Sequence, residues 1–465
     1  MTARKAPTEL APRAARSALH HPFVLLAAFA FAVMADPVSS VAYAIEAALR
    51  QLNGDLGLLL PTMGLVVAII AVVIVNYHQL VGRFPEGGGA AAATGHAFGE
   101  AWAFLPLGAL VVDFVLTIAI SVAAGGSALI AYFPSLAGAR VPLALGLLVI
   151  VAGLTWFGHL GRVVFALMTL SFVVVGAGML IAGAAKAHPA QPFLAGNPGH
   201  PATIAVLLAF PVAMALATGV EAPSSAIAQL GQLDDAGRRR FGRVTLWLTL
   251  AIVGGLTLGL AALAVVLRVG LPPQNSTMVA ELAQTAVGPA LFAAFQLTSG
   301  VLLLAAASSS FQAGPGLLKA LARDHRAVGI LPAWMGRTNT HHTPYWSVAT
   351  FLAISAAVVV AAGAQEQSLV LFYAVSVFLS FLAGLAAMAK FSQRERRWGS
   401  FLLNAGGALV VAFTLLVNLS RGYPLVSLAA SVGIAAGLWA LWLRAGRPGG
   451  ISEAEALGEQ VAGEM

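Results

Sequence analysis

The chain has 465 residues, 59% of them apolar and only 9% charged, with a mean hydropathy of +0.88. Soluble domains carry about 25% charge, so most of this surface must face lipid or other apolar helices. There is no cysteine, which excludes disulfides and thiolate metal sites, and the net charge of +7 has to be explained by where the basic residues stand.

Residues 1–20 read as a polar cytoplasmic tail, preceding a first apolar stretch that is too long for a signal segment and carries a charge at its centre. About twelve apolar spans follow, centred near residues 36, 68, 116, 148, 172, 216, 256, 300, 353, 378, 409 and 434. Ten-residue alternating strand patterns are absent, which argues against a β-barrel. Of the 25 basic residues, only Arg50, Arg140, Lys186, Arg268 and Arg421 fall outside if both termini are cytoplasmic. That bias is the positive-inside rule, and it accounts for the charge without a nucleic-acid partner.

Span 1 contains Asp36-Pro37-Val38-Ser39-Ser40. A carboxylate at bilayer depth costs at least a few kcal/mol and persists where it holds a cation or a proton. Proline removes a helical hydrogen bond, so the helix is expected to break there, as at the midplane sites of secondary transporters. Between spans 2 and 3, Gly87-Gly88-Gly89 lacks the Lys-Ser/Thr of a nucleotide loop and reads as a flexible re-entry. Asp113 and Thr117 in span 3 are four apart and share a helix face, while Tyr43 lies two turns beyond Asp36. Span 6 carries Thr218 and then Glu221-Ala222-Pro223-Ser224-Ser225, an echo of span 1 five spans later. Two five-helix halves related by an inverted repeat would produce this echo. Ser308, Ser309 and Ser310 in span 8 suit helix packing or a sodium-type site, and Tyr373 lies early in span 10.

Two longer polar connections occur, at 186–202 and 318–344; the second holds Asp324, His325, His341 and His342 and reads as a basic loop on the membrane surface, not as a metal site. The organisation expected is a tail at 1–20, a first half at 21–200, a second half at 201–390, two further helices at 391–445, and a short acidic cytoplasmic tail at 446–465.

Asp36, Asp113, Thr117, Thr218, Tyr43 and Tyr373, with freed backbone carbonyls, form an all-oxygen set suited to a hard cation. Buried negative charge disfavours a bound anion. The carboxylate of an α-amino acid would be repelled by these acids, and span 1 has no glycine between His21 and Asn53 whose bare backbone could receive it. A cationic amine escapes that objection, as does a divalent cation, for which Met214 could be a soft ligand. A sensor or scaffold that kept the fold is the non-transport alternative.

These residues resemble the amino acid–polyamine–organocation superfamily, and within it the KimA-type potassium importers. The resemblance spans about residues 20–400. It rests on Ser39-Ser40-Val41-Ala42-Tyr43, Phe84-Pro85-Glu86-Gly87-Gly88-Gly89-Ala90, Leu110-Val111-Val112-Asp113-Phe114-Val115-Leu116-Thr117 with Ser121, Thr218-Gly219-Val220-Glu221-Ala222, and Phe372-Tyr373-Ala374-Val375-Ser376-Val377-Phe378. It implies an all-α membrane protein with a LeuT-type 5+5 inverted repeat, helices 1 and 6 broken, in the cell membrane. It also implies a transporter rather than an enzyme, with no cofactor, carrying potassium together with a proton. Asp36, Tyr43, Asp113, Thr117, Thr218 and Tyr373 match the family's cation-binding positions, and Glu221 matches its proton-coupling acid. The chain departs at Pro37, and at Thr343-Pro344-Tyr345-Trp346, which is closer to amino acid permeases of the superfamily. The importers' C-terminal regulatory domain, through which they form a homodimer, is not expected after span 12.

Overall fold

A computed structural model describes residues 22–157, 162–186, 199–323 and 328–464. The expected tail at 1–20, most of the 186–202 connection, and Asp324 and His325 lie outside the described residues. Among the described residues the regular secondary structure is all helical, apart from isolated bridges such as Ala322 with Leu331.

Span 1 is a run of three pieces, α1 (Pro22–Val33), α2 (Ala35–Ser39) and α3 (Val41–Gln51). Span 2 is α4 (Leu56–Arg83), followed by the short α5 (Gly89–Phe98) and then α6 (Glu100–Tyr132), α7 (Arg140–Trp156) and α8 (Arg162–Lys186). Span 6 is α9 (Ala202–Ala213), a 3₁₀ segment Met214–Ala217, an open turn, α10 (Ala222–Ala226) and a second 3₁₀ turn Ile227–Gln229. Then come α11 (Asp235–Leu267), α12 (Met278–Ala286), α13 (Pro289–Leu321), α14 (Tyr345–Ala361), α15 (Glu366–Arg394), α16 (Trp398–Leu419), α17 (Leu425–Arg444) and α18 (Ala454–Glu464). Ten helical segments are long and apolar enough to cross a membrane. With the segmented span 1 and the 17-residue α14, they account for the twelve spans read from hydropathy.

Burial sorts the helices by position. The most apolar stretch of α6 is 89% buried, whereas that of α17 is 22% buried. The first is the axis of the bundle and the second faces lipid. Small residues let α6 serve as that axis: a Cβ on Gly108 would stand 2.5 Å from the Ser431 carbonyl of α17. At 33 residues, α6 is about 50 Å long, so it outreaches a ~30 Å hydrocarbon core and tilts or projects from it.

The two acid-proline segments adopt matching local structure. The Ser39 hydroxyl donates to the Asp36 carbonyl at 2.7 Å, and the Ser224 hydroxyl donates to the Glu221 carbonyl at 2.7 Å. The sequence echo is therefore a structural one, as a LeuT-type 5+5 repeat requires.

Their breaks differ in depth. A break was expected at Asp36, but the backbone there stays in the right-handed helical region, with irregular turns only at Met34 and Ser40. Pro37 leaves the Val33 carbonyl without a helical donor, while the hydroxyls of Ser39 and Ser40 donate to the Asp36 and Pro37 carbonyls of the next turn, and the segment stays helical. Span 6 opens fully: Thr218 is extended (ψ 133°) and Gly219 has φ +67°.

Two loops also differ from expectation. Gly87, Gly88 and Gly89 all have positive φ, and a Cβ on Gly87 would stand 2.8 Å from the Ser225 carbonyl. The expected flexible re-entry is thus a tight turn packed on span 6, and the glycines are needed for both its conformation and its close approach. In the 318–344 connection Ile330 and Leu331 are buried, so part of the expected surface loop folds back onto the bundle.

The largest correction concerns 446–465, read as an acidic tail. Residues Ile451–Glu453 form a 3₁₀ turn and α18 follows, with Ile451 and Ala454 fully buried against the bundle. Its burial is secured by partners more than 200 residues away in sequence. No local pattern could announce them.

Candidate functional site

Gly219 decides where the first carboxylate sits. The turn at Thr218-Gly219 presents bare backbone to α2, and a Cβ on Gly219 would stand only 2.6 Å from Asp36 Oδ2. The Asp36 carboxylate therefore rests on the opened backbone of span 6. The Ser40 hydroxyl donates to the Leu216 carbonyl at 3.0 Å, tying the two acid-proline segments together at the same level. Tyr43, one helical piece further on, is buried beside Thr218, whose hydroxyl donates to the Ala215 carbonyl at 2.6 Å.

The second carboxylate comes from the bundle axis. Asp113 on α6 accepts from the Ser376 hydroxyl of α15 at 3.3 Å and from the Tyr373 hydroxyl. Tyr373 also shares a 2.7 Å hydrogen bond with Thr117, one turn along from Asp113. All six residues singled out as a cation set are buried: Asp36, Tyr43, Asp113, Thr117, Thr218 and Tyr373. They converge from α2, α3, α6, the span 6 turn and α15. Asp36 and Asp113 are close enough to repel one another.

Glu221 lies two residues beyond Gly219 and is buried, within electrostatic reach of both acids. Among the described residues, its Oε2 and Asp36 Oδ1 have no hydrogen-bond partner, and the Tyr77 hydroxyl of α4 lies within electrostatic reach of Glu221. Three residues at the site escaped the sequence reading. Ser376 and Gly219 stood inside quoted motifs without roles, and the only trace of Tyr77 was a polar group on an apolar helix.

A cavity of about 260 Å³ runs from Asp36, past Phe114, Ser309 and Ser310, to Arg162, Gln229, Glu459 and Gly463. Arg162 lines it at the start of α8, the end of the bundle at which chain order also puts Arg83, Arg238, Arg243 and Arg394. Ser309 and Ser310 line it, while Ser308 is buried in packing. Arg162 donates to the Gln229 side chain at 3.3 Å near the mouth. Two acids of α18 flank this passage: Glu459 lines it, and Glu455 is buried beside it. Burial raises both carboxyls to about 7.

The opposite end is sealed. Glu46 of α3 accepts from the Met278 N–H at the start of α12 (2.9 Å) and pairs with Arg50 at 2.7 Å. Glu366 of α15 accepts from Ser127 (2.6 Å) and faces Arg140 at 3.8 Å. Gln367 donates to the Tyr43 carbonyl at 3.3 Å. Behind this network lies a void of about 20 Å³, lined by Tyr43, Gln296, Ser299 and Glu366. Among the described residues, the larger cavity reaches Asp36 from the basic end.

Among proteins of known activity, the chain is 29% identical over 403 residues to the potassium transporter KimA of Bacillus subtilis strain 168, an alignment covering 82% of this chain. The chain spans 64% of that relative's length. Among solved structures, it resembles the Eremococcus coleocola manganese transporter in complex with an aromatic bis-isothiourea substituted compound, with a TM-score of 0.51 and 14% identity, over 91% of this chain and 95% of that one. A mutant of the same transporter matches over the same shares with a TM-score of 0.50. At 14% identity the likeness is one of fold. The family profile described as "Amino acid permease" matches residues 23–441. Residues 23–441 take in the centres of all twelve spans, the six residues of the cation set and Glu221, and the chain belongs to the amino acid permease family.

Proposed function

We propose that this membrane transporter carries a monovalent cation, potassium, inward across the cell membrane together with a proton. The observation that carries the reading is the pair Asp36 and Asp113, both buried at the meeting point of the two acid-proline segments, with one Asp36 oxygen left without a partner. Two carboxylates in low dielectric attract a cation and repel a carboxylate-bearing cargo. The hydroxyls of Tyr43, Thr117, Thr218 and Tyr373 are the groups we assign to replace the water lost by a dehydrated ion. Glu221, beside both acids and partnerless at Oε2, is the group we assign to the proton. The resemblance to a potassium transporter supports the same cargo. The cytoplasm lies at the basic end, by the charge bias of the loops. The sealed far end and the cavity at the basic end then describe an inward-facing state of an alternating-access cycle.

A cationic amine is the second reading. The same unpaired acid would receive an ammonium group, and the family match supports an organic cargo. Growth of a potassium-uptake-deficient bacterium on limiting potassium, beside uptake of radiolabelled amino acids and amines, separates the two. Rescue by the wild type, lost in Asp36→Asn and in Asp113→Asn while both proteins remain folded, supports potassium. Amine uptake without rescue gives the site to the organic cation, and rescue by either variant removes that residue from the site.

A further inference from the structure

The last helix binds the rest of the molecule through a carboxylate. The three-glycine turn at 87–89 leads into α5, and Glu455 lies on that helix start. Its Oε1 is 2.4 Å from where a Gly89 Cβ would be, and the carboxylate accepts from the Ala91 N–H. The N-terminal end of a helix, with free N–H groups, favours such an anion. The Ser225 hydroxyl of α10 completes the receptor at 2.6 Å from Glu455 Oε1. One turn further on, Glu459 accepts from the Gln229 amide at 2.7 Å. At the start of the segment, Ser452 donates through both its N–H and its hydroxyl to Glu100 of α6, each at 2.9 Å. Along its other side α18 crosses α13 at backbone contact: a Cβ on Gly458 would stand 2.8 Å from Leu317 Cα, and one on Gly316 2.5 Å from the Gly458 carbonyl.

These attachments fall on parts with different freedom to move. Ser225 and Gln229 belong to the inner half of span 6, beyond the open Thr218-Gly219 turn, which has the geometry of a hinge. Glu100, Gly316 and Leu317 belong to α6 and α13, unbroken helices of 33 residues each. Any motion of the hinged half against those helices must release α18 from one side or the other.

We propose that residues 451–464 form an internal clamp, in which a carboxylate receptor built from the N-terminus of α5 and Ser225 is filled by the chain's own Glu455, holding the inner half of span 6 to α6 and α13 in the inward-facing arrangement. Releasing the clamp frees the hinge and raises the population of the outward-facing state. The clamp rests on the transporter fold and its hinge, not on which cargo is carried.

The chain has no cysteine, so a single introduced thiol reads the conformation without knowledge of the cargo. Ser299 lines the sealed void at the far end and is buried. In a Ser299→Cys protein, labelling by a membrane-impermeant maleimide from that side should rise about tenfold when the chain is ended after Gly450, as a population shift of that size requires. Gly458→Leu, which cannot pack on Leu317, should do the same in the full-length chain. Unchanged labelling in either variant, with a monodisperse elution profile and an unaltered melting curve, overturns the clamp. So does a shortened chain that no longer folds, since α18 would then be part of the bundle's support. Raised labelling without rubidium uptake would remove the cargo proposed above and leave the clamp standing.

Discussion

Docking of α18 should depend on pH, and its sign follows from the surroundings of Glu455. That carboxyl is raised from 4.5 to about 7, first by burial and then by the neighbouring Glu459, against a lowering by Ser225 and the Ala91 N–H. Glu221 before α10 and Tyr77 on α4 are also within electrostatic reach. Arg162 of α8 stands behind Gln229, and Glu100 of α6 is engaged with Ser452. On α13 the closest approach is by backbone at Gly316 and Leu317, and the uncharged Gln312 shares the cavity lining with Glu459. A carboxyl whose proton is held more tightly when docked than when free favours docking below the free value, and this advantage is lost as pH rises through 4.5 to about 7. Between pH 6 and 8 the docking constant should fall about tenfold through Glu455 alone, some 1.4 kcal/mol. Glu459, also raised to about 7, partly faces the cavity, so solvent screening makes its share smaller. A nitroxide on Gln460→Cys, an exposed position of α18, reports the docked fraction as the immobile part of its spectrum. The mobile fraction should grow from pH 6 to pH 8, and the double change Glu455→Gln with Glu459→Gln should flatten the curve. An unchanged slope in the double variant, or docking that weakens toward acid, would refute the reasoning.

Gly219→Ala places a Cβ 2.6 Å from Asp36 Oδ2 at φ +67°, so it should weaken cation affinity about tenfold, read as a raised KM for rubidium uptake in a protein that still folds. Glu366→Gln leaves Arg140 facing a neutral partner in the sealed end, which should cost about 2–4 kcal/mol of closure and speed maleimide labelling at Ser299→Cys; labelling at the wild-type rate would mean that this pair does not hold the seal. Glu221→Gln should flatten the pH dependence of uptake more than it lowers affinity, and a pH profile identical to wild type would assign the proton to another group.

Some features were legible because their physical cause is local. Hydropathy alone located the twelve spans, since each must clear the same hydrocarbon thickness on its own composition. Asp36, Asp113 and Glu221 stood out because a charge in an apolar helix carries a cost wherever the chain goes. The acid-proline-serine echo was visible as letters, and each copy closes the same serine-to-carbonyl bond within four residues. How deep the two breaks would be was not legible. Span 1 stays helical because Ser39 and Ser40 supply hydrogen bonds and Leu216 accepts one across the site, whereas span 6 opens at a glycine that must admit Asp36.

By itself, then, the sequence determined a bundle of apolar helices with three costly acids and two proline interruptions. Only the tertiary structure decided that those acids meet, which end of the passage is shut, and that an acidic stretch apparently made for water is a buried helix. The physical reason is the range of the forces involved. Lipid exposure and helix breaking are settled over a few residues, but a carboxylate such as Glu455 can leave water only when a glycine turn from residues 87–89 and a serine at 225 arrive together to receive it.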